Sequence, residues 1–94
     1  MNKLQEILII TQEECAEVIQ AISKCFRFGD VSNEQVGSLN NRDRVEKEIG
    51  DVLAMIDCLV DSGFVDAASL EEAKAAKKEK LRVWSTIFNV GEES

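Results

Sequence analysis

The sequence predicts an all-α protein of three long helices, and three observations carry that prediction. No proline occurs anywhere in the 94 residues, so no residue forces a helix to break. Apolar residues recur at intervals of three and four through most of the chain, the period of helices with one buried face. The interruptions of that period, "GDVSNEQVGSLNN" and the stretch around Gly63, are rich in glycine and in residues that cap helices or form turns.

The first helix is expected from about Lys3 to Phe28. Leu4, Ile7, Leu8, Cys15, Val18, Ile19, Ile22, Cys25 and Phe26 make one apolar stripe, and Gly29 supplies a stop. The segment 29–41 is long for a tight turn and reads as a connector or a lid, with Asn40 or Asn41 available to cap the next helix. The second helix is expected from about Arg42 to Ser62, burying Val45, Ile49, Val52, Leu53, Ile56, Leu59 and Val60 and ending at Gly63. The third begins between Asp66 and Ser69, where Ser69 and Glu72 have capping-box spacing. It runs to about Phe88, with Leu70, Ala73, Leu81, Trp84 and Phe88 inward. No strand, internal repeat or low-complexity linker is evident, so residues 1–94 read as one domain, a bundle of three main helices. Ile10, Ala21, Ala54, Met55 and Cys58 lie off these stripes. Their exposure in a lone chain predicts completion by oligomerisation, as a homo-oligomeric dimer or a tetramer of dimers.

Composition removes several function classes. Eighteen acids against eleven bases give a net charge of -7, where a binder of long nucleic acid needs a basic face. No apolar run reaches bilayer length, and "MNKLQEILII" lacks the apolar core and cleavage site of an export signal, so neither a membrane nor secretion is expected. Cys15, Cys25 and Cys58 form no CxxC pair and read as reduced thiols in a cytoplasmic protein.

Acid nevertheless collects beside the predicted core, in "QEECAE" and "EKEIGD". At about 100° per residue, Glu14 borders the first apolar stripe and Glu17 lies one step further round, while Glu13 points outward. Glu48 and Asp51 repeat that placement on the second helix. If the two helices are antiparallel neighbours, Glu14, Glu17, Glu48 and Asp51 converge near mid-bundle, where unpaired carboxylates repel unless a cation joins them. Solvated helix flanks also carry such pairs. Arg44 and Lys47 stand four residues before Glu48 and Asp51 and offer a salt-bridge explanation on the second helix. The chain has no histidine, which speaks against the Glu-x-x-His di-iron bundles; an all-oxygen site suits magnesium or manganese, ions whose work with carboxylates is handling phosphate.

These residues also carry a resemblance. EExxE at Glu13, Glu14 and Glu17 followed by ExxD at Glu48 and Asp51, with "ISKCFRFG" and "EIGDVLAMIDCLVDSG" around them, resembles the MazG-like all-α nucleoside triphosphate pyrophosphohydrolases over about residues 5 to 85. The resemblance implies hydrolysis of a nucleoside or deoxynucleoside triphosphate to the monophosphate and pyrophosphate. It also implies magnesium, with manganese a substitute, held by Glu14, Glu17, Glu48 and Asp51, and Glu13 as a further member of the catalytic motif. Lys24, on the same flank as Glu17, and Lys77 and Lys80 on the third helix are candidate contacts for substrate phosphates, though solvated lysines would look the same. Phe26, Phe28 and Trp84 could stack on a base or simply join the core. Gly50, between the two acids of the second helix, costs about 1 kcal/mol relative to alanine and suggests either close approach of another backbone or tolerance. The rival reading is a non-enzymatic helical dimeric interaction module whose acids are surface charge.

Overall fold

The structure is a computed structural model that describes residues 1–27, 35–36 and 39–84. It is all-α, with helices α1 (Lys3–Arg27), α2 (Asn41–Asp61) and α3 (Ala67–Trp84). The expected ends of the first and third helices at Phe28 and Phe88, the stop at Gly29 and most of the 29–41 connector lie outside the described residues. One feature departs from the strand-free expectation: β1 (Gln35–Val36) pairs antiparallel with β2 (Leu39–Asn40), Gln35 opposite Asn40 and Val36 opposite Leu39. Two residues per strand are too few to stand as a sheet, and the class stays all-α.

The start of each helix and the end of α2 are identifiable. Asn2 and Gln5 cap α1 reciprocally, the Gln5 N–H donating to Asn2 Oδ1 at 2.8 Å and the Asn2 N–H to Gln5 Oε1 at 2.9 Å, which satisfies amides that a helix start leaves orphaned. Asn40 caps α2, its Oδ1 accepting from the Asp43 N–H at 2.7 Å. At the other end Gly63 takes φ 83°, the left-handed conformation glycine adopts without penalty. Its N–H donates to the Val60 carbonyl (2.9 Å) and that of Phe64 to Leu59 (3.2 Å), the paired bonds of a Schellman stop. For α3 the cap is Asp66, not Ser69. Its Oδ2 accepts from the Ser69 N–H at 3.0 Å and hydroxyl at 3.3 Å, because a carboxylate preceding the helix reaches the first-turn amide that Ser69, already helical, offers as a donor.

The chain divides into two compact units, Met1–Phe64 and Val65–Ser94. In the first, α1 packs on α2 along a seam with alternating steps of three and four. Leu4, Ile7, Thr11, Glu14, Val18, Ala21 and Cys25 on α1, and Asn41, Val45, Glu48, Val52, Met55 and Leu59 on α2, are all buried or half-buried. This is the spacing that keeps two helices in register. It also corrects the expected stripes. Ala21, placed off the stripe by the sequence, is buried, whereas Ile19 (65% exposed), Ile22, Phe26 (75%), Ile49 and Leu53 (56%) face outward, as does Cys15. Asn41 is 1% exposed and its side-chain amide has no hydrogen-bond partner among the described residues, which leave that burial unexplained. In the second unit α3 has no buried residue, so the inward placement of Ala73 and Trp84 and the placement of Lys77 within a buried stripe do not hold. Among the described residues a Cβ at Gly50 would meet nothing within 4 Å, so no close backbone approach by them accounts for that glycine.

Candidate metal and catalytic site

Glu14 and Glu48 occupy seam positions of α1 and α2, so helix packing, not surface chance, brings them together. Glu48 is buried at 8% exposure and Glu14 is half-buried. Asp51 follows Glu48 by three residues on the same face of α2 and is also half-buried. One carboxylate oxygen from each of Glu14, Glu48 and Asp51 lies within 4.8 Å of the others. The sequence placed Glu14 and Glu48 at the edge of the apolar stripes; they are in the contact line itself.

Three carboxylates this close repel. The carboxyl of Glu14 is held above the ordinary value of 4.5, first by partial desolvation and then by the charges of Asp51 and Glu48, with Lys47 opposing and Glu17 adding a smaller repulsion. The Lys47 ammonium is the base that compensates them: its Nζ lies 2.9 Å from Asp51 Oδ2 and 3.8 Å from Glu48 Oε2. The same contacts, led by the hydrogen bond to Asp51, push its own pKa up. Arg44 forms no ion pair with Glu48 among the described residues.

The other predicted site residues fall elsewhere. Glu13 and Glu17 are exposed on α1, and neither belongs to the three-carboxylate group; only the charge of Glu17 reaches Glu14. Lys24, half-buried, lines a shallow surface pocket with Ile19, Gln20, Ser23 and Arg27. Lys77, Lys80 and Trp84 are exposed on α3, and Phe28 lies outside the described residues. Lys47, which sequence spacing offered only as a competing salt bridge, is the residue in direct contact with the acids. Its signal was its position four residues before Asp51.

The donor set is chemically suited to a hard divalent cation. All its ligand atoms are carboxylate oxygens, drawn from two helices, and Glu48 is too buried for water to hydrate it well. Among the described residues no helix is long and apolar enough to cross a membrane.

An all-α pair of helices with a carboxylate cluster in its seam defines a class, helical proteins that can mount a cation between their helices. The comparison with family models narrows it: residues 2–83 match the MazG nucleotide pyrophosphohydrolase domain. The chain belongs to that family, whose activity makes it a hydrolase family acting on nucleotides. No curated protein and no solved structure matches the chain.

Proposed function

We propose that the protein is a magnesium-dependent pyrophosphohydrolase that cleaves a nucleoside or deoxynucleoside triphosphate to the monophosphate and pyrophosphate. The observation that carries this reading is the meeting of Glu14, Glu48 and Asp51 within 4.8 Å in a chain of the MazG family. On this reading water attacks the α-phosphorus, the bond from that phosphorus to the bridging oxygen breaks, and pyrophosphate leaves.

Glu14, Glu48 and Asp51 are the proposed metal ligands, with Glu17 as a fourth and Glu13 as the remaining motif acid. Bound magnesium, or manganese in its place, would neutralise charge on the phosphate oxygens and acidify a coordinated water. The chain's own contribution is positioning. Seam packing fixes Glu14 and Glu48 on separate helices, and a carboxylate oxygen left free accepts the proton of the attacking water. Lys24 is a proposed contact for the phosphate chain.

We further propose that residues 1–94 act as one domain in a cytoplasmic homo-oligomer, a dimer or tetramer, with neither long nucleic acid nor a membrane as partner. The exposed Ile19, Phe26 and Leu53 support an assembly that covers them.

The test is a panel of ribo- and deoxyribonucleoside triphosphates with magnesium and with manganese, reading pyrophosphate, monophosphate and orthophosphate separately. The expected result is pyrophosphate as first product from at least one substrate, abolished by chelator. A folded preparation inactive across the panel, or one that releases orthophosphate first, overturns the reading and leaves the interaction module as its replacement.

A further inference from the structure

Lys47 stands where a cation is wanted. Its ammonium touches two members of the carboxylate group, Asp51 Oδ2 at 2.9 Å and Glu48 Oε2 at 3.8 Å, and its charge also acts on the third, Glu14. One positive charge therefore serves three carboxylates that helix packing has forced together.

A divalent ion on the same carboxylates would compete with that arrangement. Magnesium requires its oxygen ligands at about 2.0–2.1 Å in near-octahedral geometry, and Asp51 Oδ2 already accepts a hydrogen bond from Lys47. An ammonium a few ångströms from a dication is also repelled by it. The side chain is free to leave: Lys47 is 59% exposed on a flexible four-carbon stem, and exposed ion pairs of this kind are weak.

Resting on the metal-site reading above, we propose that Lys47 is a displaceable counter-ion. It holds the Glu48–Asp51 pair before the metal enters, gives way at Asp51 as the metal binds, and by that competition lowers the site's affinity for divalent cations. Lys47 is in this sense a positioning residue; it does not touch the reacting atoms.

The experiment measures the manganese dissociation constant of the full chain by calorimetry, without nucleotide, for the wild type, Lys47→Met, Lys47→Arg and Asp51→Asn, alongside melting temperatures with and without manganese. Removing the competing charge in Lys47→Met is expected to tighten manganese binding by about three- to tenfold while its metal-free form melts no higher than wild type. Lys47→Arg, which keeps a competing cation, should stay within about twofold of wild type, and Asp51→Asn should lose most binding. Should Lys47→Met misfold, Lys47→Gln serves the same comparison. Binding that depends on Asp51 but is unchanged or weaker in Lys47→Met overturns the counter-ion role and spares the metal site; Lys47 is then a plain helix salt bridge whose loss lowers both melting temperatures alike. Equal manganese binding in wild type and Asp51→Asn overturns the metal site and this proposal with it.

Discussion

The two flanks of the α1–α2 seam differ in kind. Taking about 100° per residue, the acids Glu17 and Asp51 fall to one side of the buried line of each helix, while Ile19, Ile22 and Phe26 on α1 and Ile49 and Leu53 on α2 fall to the other. Toward the acid flank, among the described residues, Asp51 meets the seam acids Glu14 and Glu48 and the Lys47 ammonium. The apolar flank is exposed. Charge gathered inside a fold calls for a ligand, and apolar surface left outside calls for a neighbour; the same pair of helices presents both demands.

Breaking the acid flank should have the largest effect. Glu48→Gln or Asp51→Asn is expected to lower the pyrophosphate-releasing activity by about a hundredfold or more, since a lost ligand loosens both ion and substrate positioning. Steady-state rates under saturating magnesium check this, and activity within a few-fold of wild type would remove these acids from the mechanism.

Breaking the apolar flank should leave the acids alone and dissolve the assembly. Leu53→Glu places a charge where an oligomer would bury it, an arrangement that costs several kcal/mol. Light scattering should show the wild type as a dimer or tetramer and the variant shifted toward monomer. A wild type that is monomeric and well folded at micromolar concentration contradicts the oligomer.

The pH dependence of Glu14 sharpens the contrast. Glu14 has a folded-state pKa above its ordinary 4.5, so the folded state binds that proton more tightly than the unfolded state does. The stability this group contributes is full below the ordinary value and is lost as pH rises through the raised one. In metal-free protein, denaturant titrations should find the wild type losing stability relative to Glu14→Gln across that window as pH increases. Parallel profiles for the two proteins would place Glu14 outside the repulsive cluster.

The smallest effects belong to the helix framework that holds both flanks. Asn40→Ala removes the cap of α2 and should cost about 1 kcal/mol. Gly50→Ala fills open space in a helix and should stabilise by about 0.5–1 kcal/mol. A destabilising Gly50→Ala would mean that a second subunit approaches there.

The helices, their class and several of their ends were legible in the sequence because they follow from local chemistry: absent proline, spacing of three and four, Asn40 as a cap and Gly63 as a stop. The rotation of the helices was not. On α1 the expected apolar stripe covers an arc of about a third of the circumference, and its midpoint runs through Leu4 and Ile22. The buried line runs instead through Ile7, Glu14, Ala21 and Cys25, near the arc's acidic edge. Periodicity reports how much of a helix is apolar; it does not say which part faces a neighbour in the chain and which part faces outward. The same limit hid the placement of Glu14 and Glu48, which looked like flanking acids and lie in the seam. The motif spacing did pick out three acids that the fold brings within 4.8 Å, Glu14, Glu48 and Asp51, whereas Lys47 was legible only as a pairing partner at i, i+4. The cap at Asp66 was lost to Ser69 because the Ser69–Glu72 spacing imitates a capping box one turn too late.

The central claim is that the seam acids are tolerated because a divalent ion completes them, and the response of the melting temperature to magnesium tests it most directly. Binding to the folded state alone stabilises by about 2.7 kcal/mol when free metal exceeds its dissociation constant a hundredfold. Wild-type protein should therefore melt several degrees higher as magnesium or manganese is raised. Metal-free Glu48→Gln should melt at or above metal-free wild type, because one of three repelling charges is gone, and should gain little from either ion. Equal metal responses in the two proteins, or a Glu48→Gln variant that collapses without metal, would contradict the account.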